Sequence, residues 1–154
     1  MGGCGEMPLT GTYTRTLDEK NRIAIPKPLR DDFGENPLKT LYVAPGTDGS
    51  LSLYTASAFE ELARLFATTS GAKANVRNYL RLFYARAQKV EVDAQGRVRI
   101  PDRLAELAGL KREVVLIGVH DHVELWDAER WEEFLQKYSA EFDSLAEQVF
   151  EERT

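Results

Sequence analysis

Two short stretches of this chain place a carboxylate and a guanidinium four residues apart across a turn. Leu17–Arg30 reads LDEKNRIAIPKPLR, and 75 residues later Val92–Ala105 reads VDAQGRVRIPDRLA. Asp18 matches Asp93, Arg22 matches Arg97, and Ile25, Pro26 and Leu29 match Ile100, Pro101 and Leu104, with apolar matches at Leu17/Val92 and Ile23/Val98. The residue before each arginine is Asn21 or Gly96, the types that accept a positive φ at least cost. An Asp that opens such a turn can hold the Arg fork on its far side. A fork held in this way can bridge a phosphate or read guanine O6 and N7 in a major groove. Arg15 and Lys20 add cationic charge beside the first turn. Taken alone, each Asp is equally a turn former and each Arg a solvated strand end. Repetition raises the functional reading, and a repeat is an architectural statement first.

The elements that must position these turns follow from periodicity. Apolar alternation on both sides predicts that each copy is a hairpin tipped by D-x-x-[N/G]-R, with Gly11–Leu17 as the leading strand of the first and Arg22–Ile25 as its return. Pro26 and Pro28 open a short helix that Gly34 ends. Leu41–Ala44 and Leu51–Tyr54 form a second strand pair around the Pro45–Gly49 turn cluster. Phe59, Leu62, Ala63 and Phe66 mark one face of a helix, with Ser57 and Glu60 spaced as a capping box. After the break at Thr68–Gly71, Val76, Leu80, Phe83 and Ala87 mark another helix. Lys73, Arg77 and Arg81 step along a different face of it. From Gly71 to Val90 there are five basic residues and no acid, which suits a solvated face, a nucleic-acid rim or an acidic neighbouring subunit.

The second half replays the first: Lys89–Val92, the box, Val98–Ile100, and a Pro101-led helix expected to turn Leu104, Leu107 and Ala108 inward before Gly109. Val114–Val119 is an apolar strand, His120-Asp121-His122 a turn, and Val123–Trp126 the counterpart of Leu51–Tyr54. Asp127 caps a helix whose Trp131, Leu135 and Tyr138 share a face, as Thr55 precedes Phe59, Ala63 and Phe66. Helical spacing assigns these aromatics to packing rather than to base stacking. The last fifteen residues form an acidic amphipathic helix expected to face Phe142, Leu145, Val149 and Phe150 inward.

A chain of 154 residues with 43% hydrophobic content can bury a real core as one compact unit or two small ones. It holds no run of eighteen apolar residues and no apolar N-terminal region, so a soluble cytoplasmic protein without a membrane span is expected. Cys4 is the only cysteine, which excludes an internal disulfide and a cysteine zinc cluster. Glu6 stands where a myristoylation motif wants Ser or Thr, so residues 1–6 read as a leader, with Met7 an alternative start. Net charge is −5, but residues 120–154 carry 11 acidic and 3 basic side chains, leaving the first 119 residues at +3. An acidic tail on a mildly basic body leaves nucleic acid open as a partner, because local potential steers a polyanion.

A half of roughly 45 residues without a disulfide is marginal alone. Each half must lean on another, and short strands exchanged between two halves can close a small barrel without exposed edges. Pairing between chains would be head-to-tail, giving a ring or a filament.

The G-T-Y opening, the paired D-x-x-x-R boxes with their Pro-led helices, the strand VVLIGV, and E-L-W-D followed by R-W-E-E-F together closely resemble the MraZ family, bacterial transcriptional regulators at the division and cell-wall gene cluster. The resemblance runs from about Thr10 to Phe134. It implies an α+β fold of tandem SpoVT/AbrB-like swapped-hairpin β-barrel halves with flanking helices and a pseudo-two-fold internal repeat. The implied divisions are a flexible leader at 1–11, modules at 12–58 and 87–130, connecting helices at 59–86 and acidic helices at 131–154. It further implies a ring-shaped homo-oligomer, nucleoid-associated, that binds G-rich direct repeats in double-stranded promoter DNA, as a repressor would. The family's contact motif falls on Asp18, Glu19, Lys20, Asn21 and Arg22, and on Asp93, Ala94, Gln95, Gly96 and Arg97. Asn21 departs from the more usual Gly, and Thr10 from the Arg of many members.

The expected DNA-binding set is therefore Asp18, Lys20, Arg22, Arg15, Asp93 and Arg97, with the aspartates orienting the forks and the Lys20-bearing box contributing more. An enzyme is the first rival. It would need His120 and His122, yet no further His exists to complete a metal shell, and no phosphate-cradling Gly-rich motif is present. No catalytic residue, cofactor or metal is expected. The second rival is a ring-forming interaction scaffold, and the third an antitoxin-like DNA-binding module.

Overall fold

Each half of the chain supplies the strands that the other half lacks. In the computed structural model, which describes residues 7–151, the first half runs β1 (Thr12–Thr16), β2 (Arg22–Ala24), α1 (Lys27–Asp32), β3 (Thr40–Pro45), β4 (Leu51–Tyr54), α2 (Ala56–Ala67) and α3 (Ala74–Arg86). The second runs β5 (Gln88–Glu91), β6 (Arg97–Arg99), α4 (Asp102–Leu107), β7 (Glu113–Val119), β8 (His122–Asp127), α5 (Ala128–Tyr138) and, after a 3-10 turn at Ser139–Glu141, α6 (Phe142–Glu151). It is a mixed α+β fold. A six-stranded antiparallel sheet has the order β1-β7-β8-β4-β3-β5, and β2 and β6 form a separate two-stranded ribbon.

The pairings are reciprocal. β1 pairs with β7 and β5 with β3, while β4 and β8 pair with each other at the centre of the sheet. This corrects the expected hairpins: β1 and β2 flank the first box but belong to different sheets, and the same holds for β5 and β6. Alternation fixes which face of a strand is buried, not which strand it meets. The halves that were expected to lean on one another do so within one chain.

The core lies between the sheet and the ribbon. Ile23 and Val98 stand opposite each other on the ribbon's inner face, joined by Ile25, Leu29, Leu41, Val43, Leu53, Ile100, Leu104, Leu116 and Leu125, all buried. Full burial of one such side chain is worth about 1.5–3 kcal/mol. A second cluster forms where α2 and α3 cover the outer face of β3 and β4, with Phe59 stacked on Tyr42 at 4.5 Å between ring centroids and Phe83 buried behind it. Gly118 admits the incoming N-terminal segment: a Cβ there would stand 2.4 Å from the Thr10 backbone nitrogen. That segment includes Leu9, 3% exposed and bridged to His120, so the described end of the expected leader is packed. Residues 1–6 lie outside the described residues.

Three local expectations are corrected. α2 is capped by Thr55, whose hydroxyl accepts from the Ala58 N–H, rather than by the Ser57/Glu60 box. Thr55 is buried and directly follows β4, and Asp127, which accepts from the Glu129 N–H, holds the same place at the end of β8 in the second half. On α4, Leu104, Ala105 and Ala108 are buried but Leu107 is 42% exposed. On α6 the apolar stripe points outward, with Phe142 72% and Val149 58% exposed. Both helices have the predicted amphipathic spacing, but spacing does not name what covers the apolar face.

Candidate nucleic-acid interface

The two boxes fold into the same small machine. Asp18 Oδ1 accepts from the backbone N–H of Lys20 at 2.9 Å and of Arg22 at 2.8 Å, and Oδ2 accepts from Arg22 Nε at 2.7 Å. Asp93 Oδ1 accepts from the N–H of Gln95 and of Arg97, each at 2.9 Å, and Oδ2 from Arg97 Nε at 3.0 Å. In both, the Asp backbone N–H donates to the carbonyl of the Arg, and the N–H before the Arg donates back to the Asp carbonyl. Asn21 has φ +59° and Gly96 φ +78°, as the turn demands. The backbone donor from Arg22 leads the causes that lower the Asp18 pKa below the ordinary aspartate value, and that from Arg97 does the same for Asp93. Each carboxylate is therefore held in its ionised form and takes, from its arginine's side chain, only the Nε hydrogen. Neither engages the two terminal NH2 groups of the fork.

The ribbon sets the forks side by side. Arg22 is opposite Arg99 and Ala24 opposite Arg97, with the Ile23/Val98 pair between them facing the core. Period-two alternation then puts Arg22, Arg97 and Arg99 on the outward face of one two-stranded ribbon. Along the ribbon Arg22 and Arg97 are two residues apart, roughly 7 Å at the rise of a strand. Arg99 was missed by sequence reasoning because its counterpart in the repeat is Ala24. Its signal lay in the alternation Arg97-Val98-Arg99.

The surroundings of the boxes differ. Asn21 Nδ2 donates to Asp102 Oδ1 at 2.9 Å, and Arg99 lies 3.9 Å from the same carboxylate. At the second box, the Arg30 guanidinium packs on Gly96, where a Cβ would stand 2.8 Å from its Cζ, and its Nε donates to the Ile25 carbonyl. Each tip is thus backed by the Pro-led helix of the opposite half. Lys20 is exposed at the first tip. Arg15 turns away from it: its Nη1 donates to the Thr14 carbonyl and its guanidinium sits 5.9 Å from the centre of the Tyr13 ring.

The two histidines differ in setting: His120 is exposed and His122 is partly buried. His120 has φ +62° in the turn, and His122 opens β8. His122 Nδ1 lies 2.8 Å from Asp121 and Nε2 3.7 Å from Glu124, which also accepts from Trp126 Nε1. Burial pushes its pKa down, but hydrogen bonds to Glu124 and Asp121 override this and hold it above the ordinary imidazole value. Among the described residues no group of three His, Cys, Asp or Glu side chains is placed to hold a metal ion. No described helix is long and apolar enough to cross a membrane.

A model of the MraZ protein family, described as antitoxin-like, matches the chain twice in succession, over residues 9–82 and 83–153. The chain belongs to the MraZ family. The two matches correspond to the two box-bearing halves of this MraZ-family fold. A transcriptional regulator MraZ from Mycoplasmoides gallisepticum is 37% identical over 139 residues, spanning 90% of this chain and 95% of its own. Those of Finegoldia magna and Nocardioides sp. are 35% and 39% identical over 135 and 142 residues, covering 88% and 92% of this chain and 92% and 96% of theirs. MraZ membership thus rests on nearly full-length relatives.

Proposed function

We propose that this MraZ-family chain is a DNA-binding transcriptional regulator, not an enzyme, and that the outward face of the β2–β6 ribbon is its reading surface. The observation that carries this is the alignment of Arg22, Arg97 and Arg99 on one ribbon face, with two of the forks oriented by Asp18 and Asp93. A two-stranded ribbon fits a major groove, and arginine forks held by Nε present terminal NH2 groups of the kind that read guanine. G-rich direct repeats in the promoter of the division and cell-wall cluster are the proposed target. The reciprocal strand pairing supports the swapped-hairpin barrel implied by the resemblance.

The carboxylates at the tips offset much of the attraction for phosphate, so one ribbon binds weakly. Affinity then comes from several copies in a closed homo-oligomer engaging several repeats on one duplex. Such a protein works in the cytoplasm, on the nucleoid.

The test is fluorescence anisotropy of the purified protein on a duplex from upstream of its own gene, across a salt series. Repeat-specific binding that Arg22→Ala weakens about 10- to 100-fold is expected, and affinity and salt slope unchanged by that substitution would overturn the assignment. An oligomer that ignores this duplex at low ionic strength is instead an interaction scaffold. The antitoxin-like description of the family model favours one variant of the reading, and a toxin gene beside this one would reveal it.

A further inference from the structure

The basic residues of α3 lie on the far side of the sheet from the ribbon. Side chains alternate along β3: Leu41 and Val43 join the core beneath the ribbon, whereas Tyr42 and Ala44 meet Phe59 of α2 and Phe83 of α3. Two packed layers at about 10 Å each put roughly 20 Å between ribbon and α3, beyond the reach of a side chain. Residues 56–86, which hold α2, α3 and their loop, carry five cations against two carboxylates, and one of these, Glu61, is taken by Arg64. On α3, Lys73, Arg77 and Arg81 are exposed and recur every four residues, and Tyr84, 42% exposed, continues the row. Phe83 and Ala87 take the packed side, about a quarter turn away. The side-chain bonds of the row are to neutral groups. Arg77 Nη1 donates to the Gly71 and Ala72 carbonyls at 3.0 and 2.8 Å, and Arg81 Nη1 donates to Asn78 Oδ1 at 3.3 Å.

We propose that this row grips the phosphate backbone of a second duplex, so that one copy holds two DNA segments on opposite faces of its sheet. From Lys73 to Arg81 the row runs about 12 Å at 1.5 Å per residue, three to four phosphate steps of one strand at about 3.4 Å each. Charge selects the occupant. A regular row of cations with no acid on its own helix suits a repeating polyanion, and the Tyr84 hydroxyl can donate to a phosphate oxygen. Such contacts carry no sequence information, so the row holds any duplex while the ribbon does the reading. The counterpart helix of the second half, α6, is acidic and has no base, so each chain carries one such row. The inference rests on the ribbon reading only for the identity of the first duplex.

The experiment tethers a duplex from upstream of the gene to beads, loads the full chain on it, and offers a labelled duplex of unrelated sequence. The unmodified protein is expected to capture the label. Lys73→Ala with Arg81→Ala spares the Arg77 bonds to the loop. Both residues are exposed and alanine is the better helix former, so the circular dichroism spectrum should not change. This variant should hold the tethered duplex with unchanged affinity and fail to capture the label. Its salt slope on the unrelated duplex should fall by about 1.8, at about 0.9 per lost phosphate contact. The same fall is expected when Arg22→Ala is also present, so the slope decides the row even if the tethered duplex is ignored, an outcome that defeats the ribbon reading alone. Should the alanine variant lose helical signal, Lys73→Gln with Arg81→Gln gives the same two readouts. Unchanged capture and slope make the row a solvated face and overturn the proposal. An equal loss on the tethered duplex places the row in the ribbon's own footprint and overturns it as well. Stronger capture of a single-stranded RNA than of the duplex overturns the choice of occupant.

Discussion

The first and second boxes share one turn geometry and surround it with different chemistry. Each aspartate accepts two backbone N–H groups and one Nε, at distances that agree to within a few tenths of an ångström. Yet the first tip is braced by a carboxylate, Asp102 on Asn21, and the second by a guanidinium, Arg30 on Gly96. Lys20 stands where the second box has Gln95, and Arg99 faces Arg22 while Ala24 faces Arg97. The aspartate's local hydrogen bonds determine the shape of the turn, and the residues brought in from the other half determine its charge.

The substitution that breaks the comparison most completely is Ile23→Ala. It removes the side chain that, with Val98, holds both boxes to the core, and should cost about 2–5 kcal/mol in urea denaturation, with both tips affected equally. Next come the forks themselves. Arg22→Ala should weaken duplex binding about 10- to 100-fold, as the loss of one bidentate guanine contact would. Arg97→Ala measures whether Arg30 compensates, because an equal loss would show that the two surroundings do not matter.

Gly96→Ala sharpens the contrast between the tips. A Cβ at φ +78° costs about 1–2 kcal/mol and pushes the Arg30 guanidinium aside, whereas Asn21→Gly keeps the turn and loses only the Asp102 bond, about 1 kcal/mol or less. Thermal unfolding of the two variants gives the difference.

The smallest effect is that of pH. Asp18 and Asp93 have folded pKa values below the ordinary one, so their contribution is full above about pH 3.9 and is lost as pH falls through the lower folded values. Carboxyl chemical shifts should show both titrating at lower pH than a free aspartate does.

The boxes were legible in the sequence because everything that shapes them lies within four residues: Asp18 and Arg22 are near neighbours in the chain and need no tertiary context to meet. The helices around Phe59, Phe83 and Trp131 were legible for the same reason, through their spacing. What could not be read was partnership. β1 meets β7 across about a hundred residues, and nothing in Thr12–Thr16 distinguishes that strand from the nearer β2. Arg99 escaped because a repeat alignment rewards matches, and its importance comes from standing opposite Arg22. Leu107 and Val149 were assigned to the interior because their periodicity reports only that a face wants cover.

Because β1 completes the second half and β5 the first, what could have been a symmetric pair of identical molecules is tied into a single polypeptide. Two identical molecules must present identical fingertips, since one coding sequence serves both. Here the linkage lifts that restriction, and Lys20 beside Gln95, or Asn21 beside Gly96, shows the two ends already diverging. If the proposed ribbon reads DNA, its unlike ends would give a duplex a direction, and the proposed homo-oligomer would then favour repeats that all point the same way.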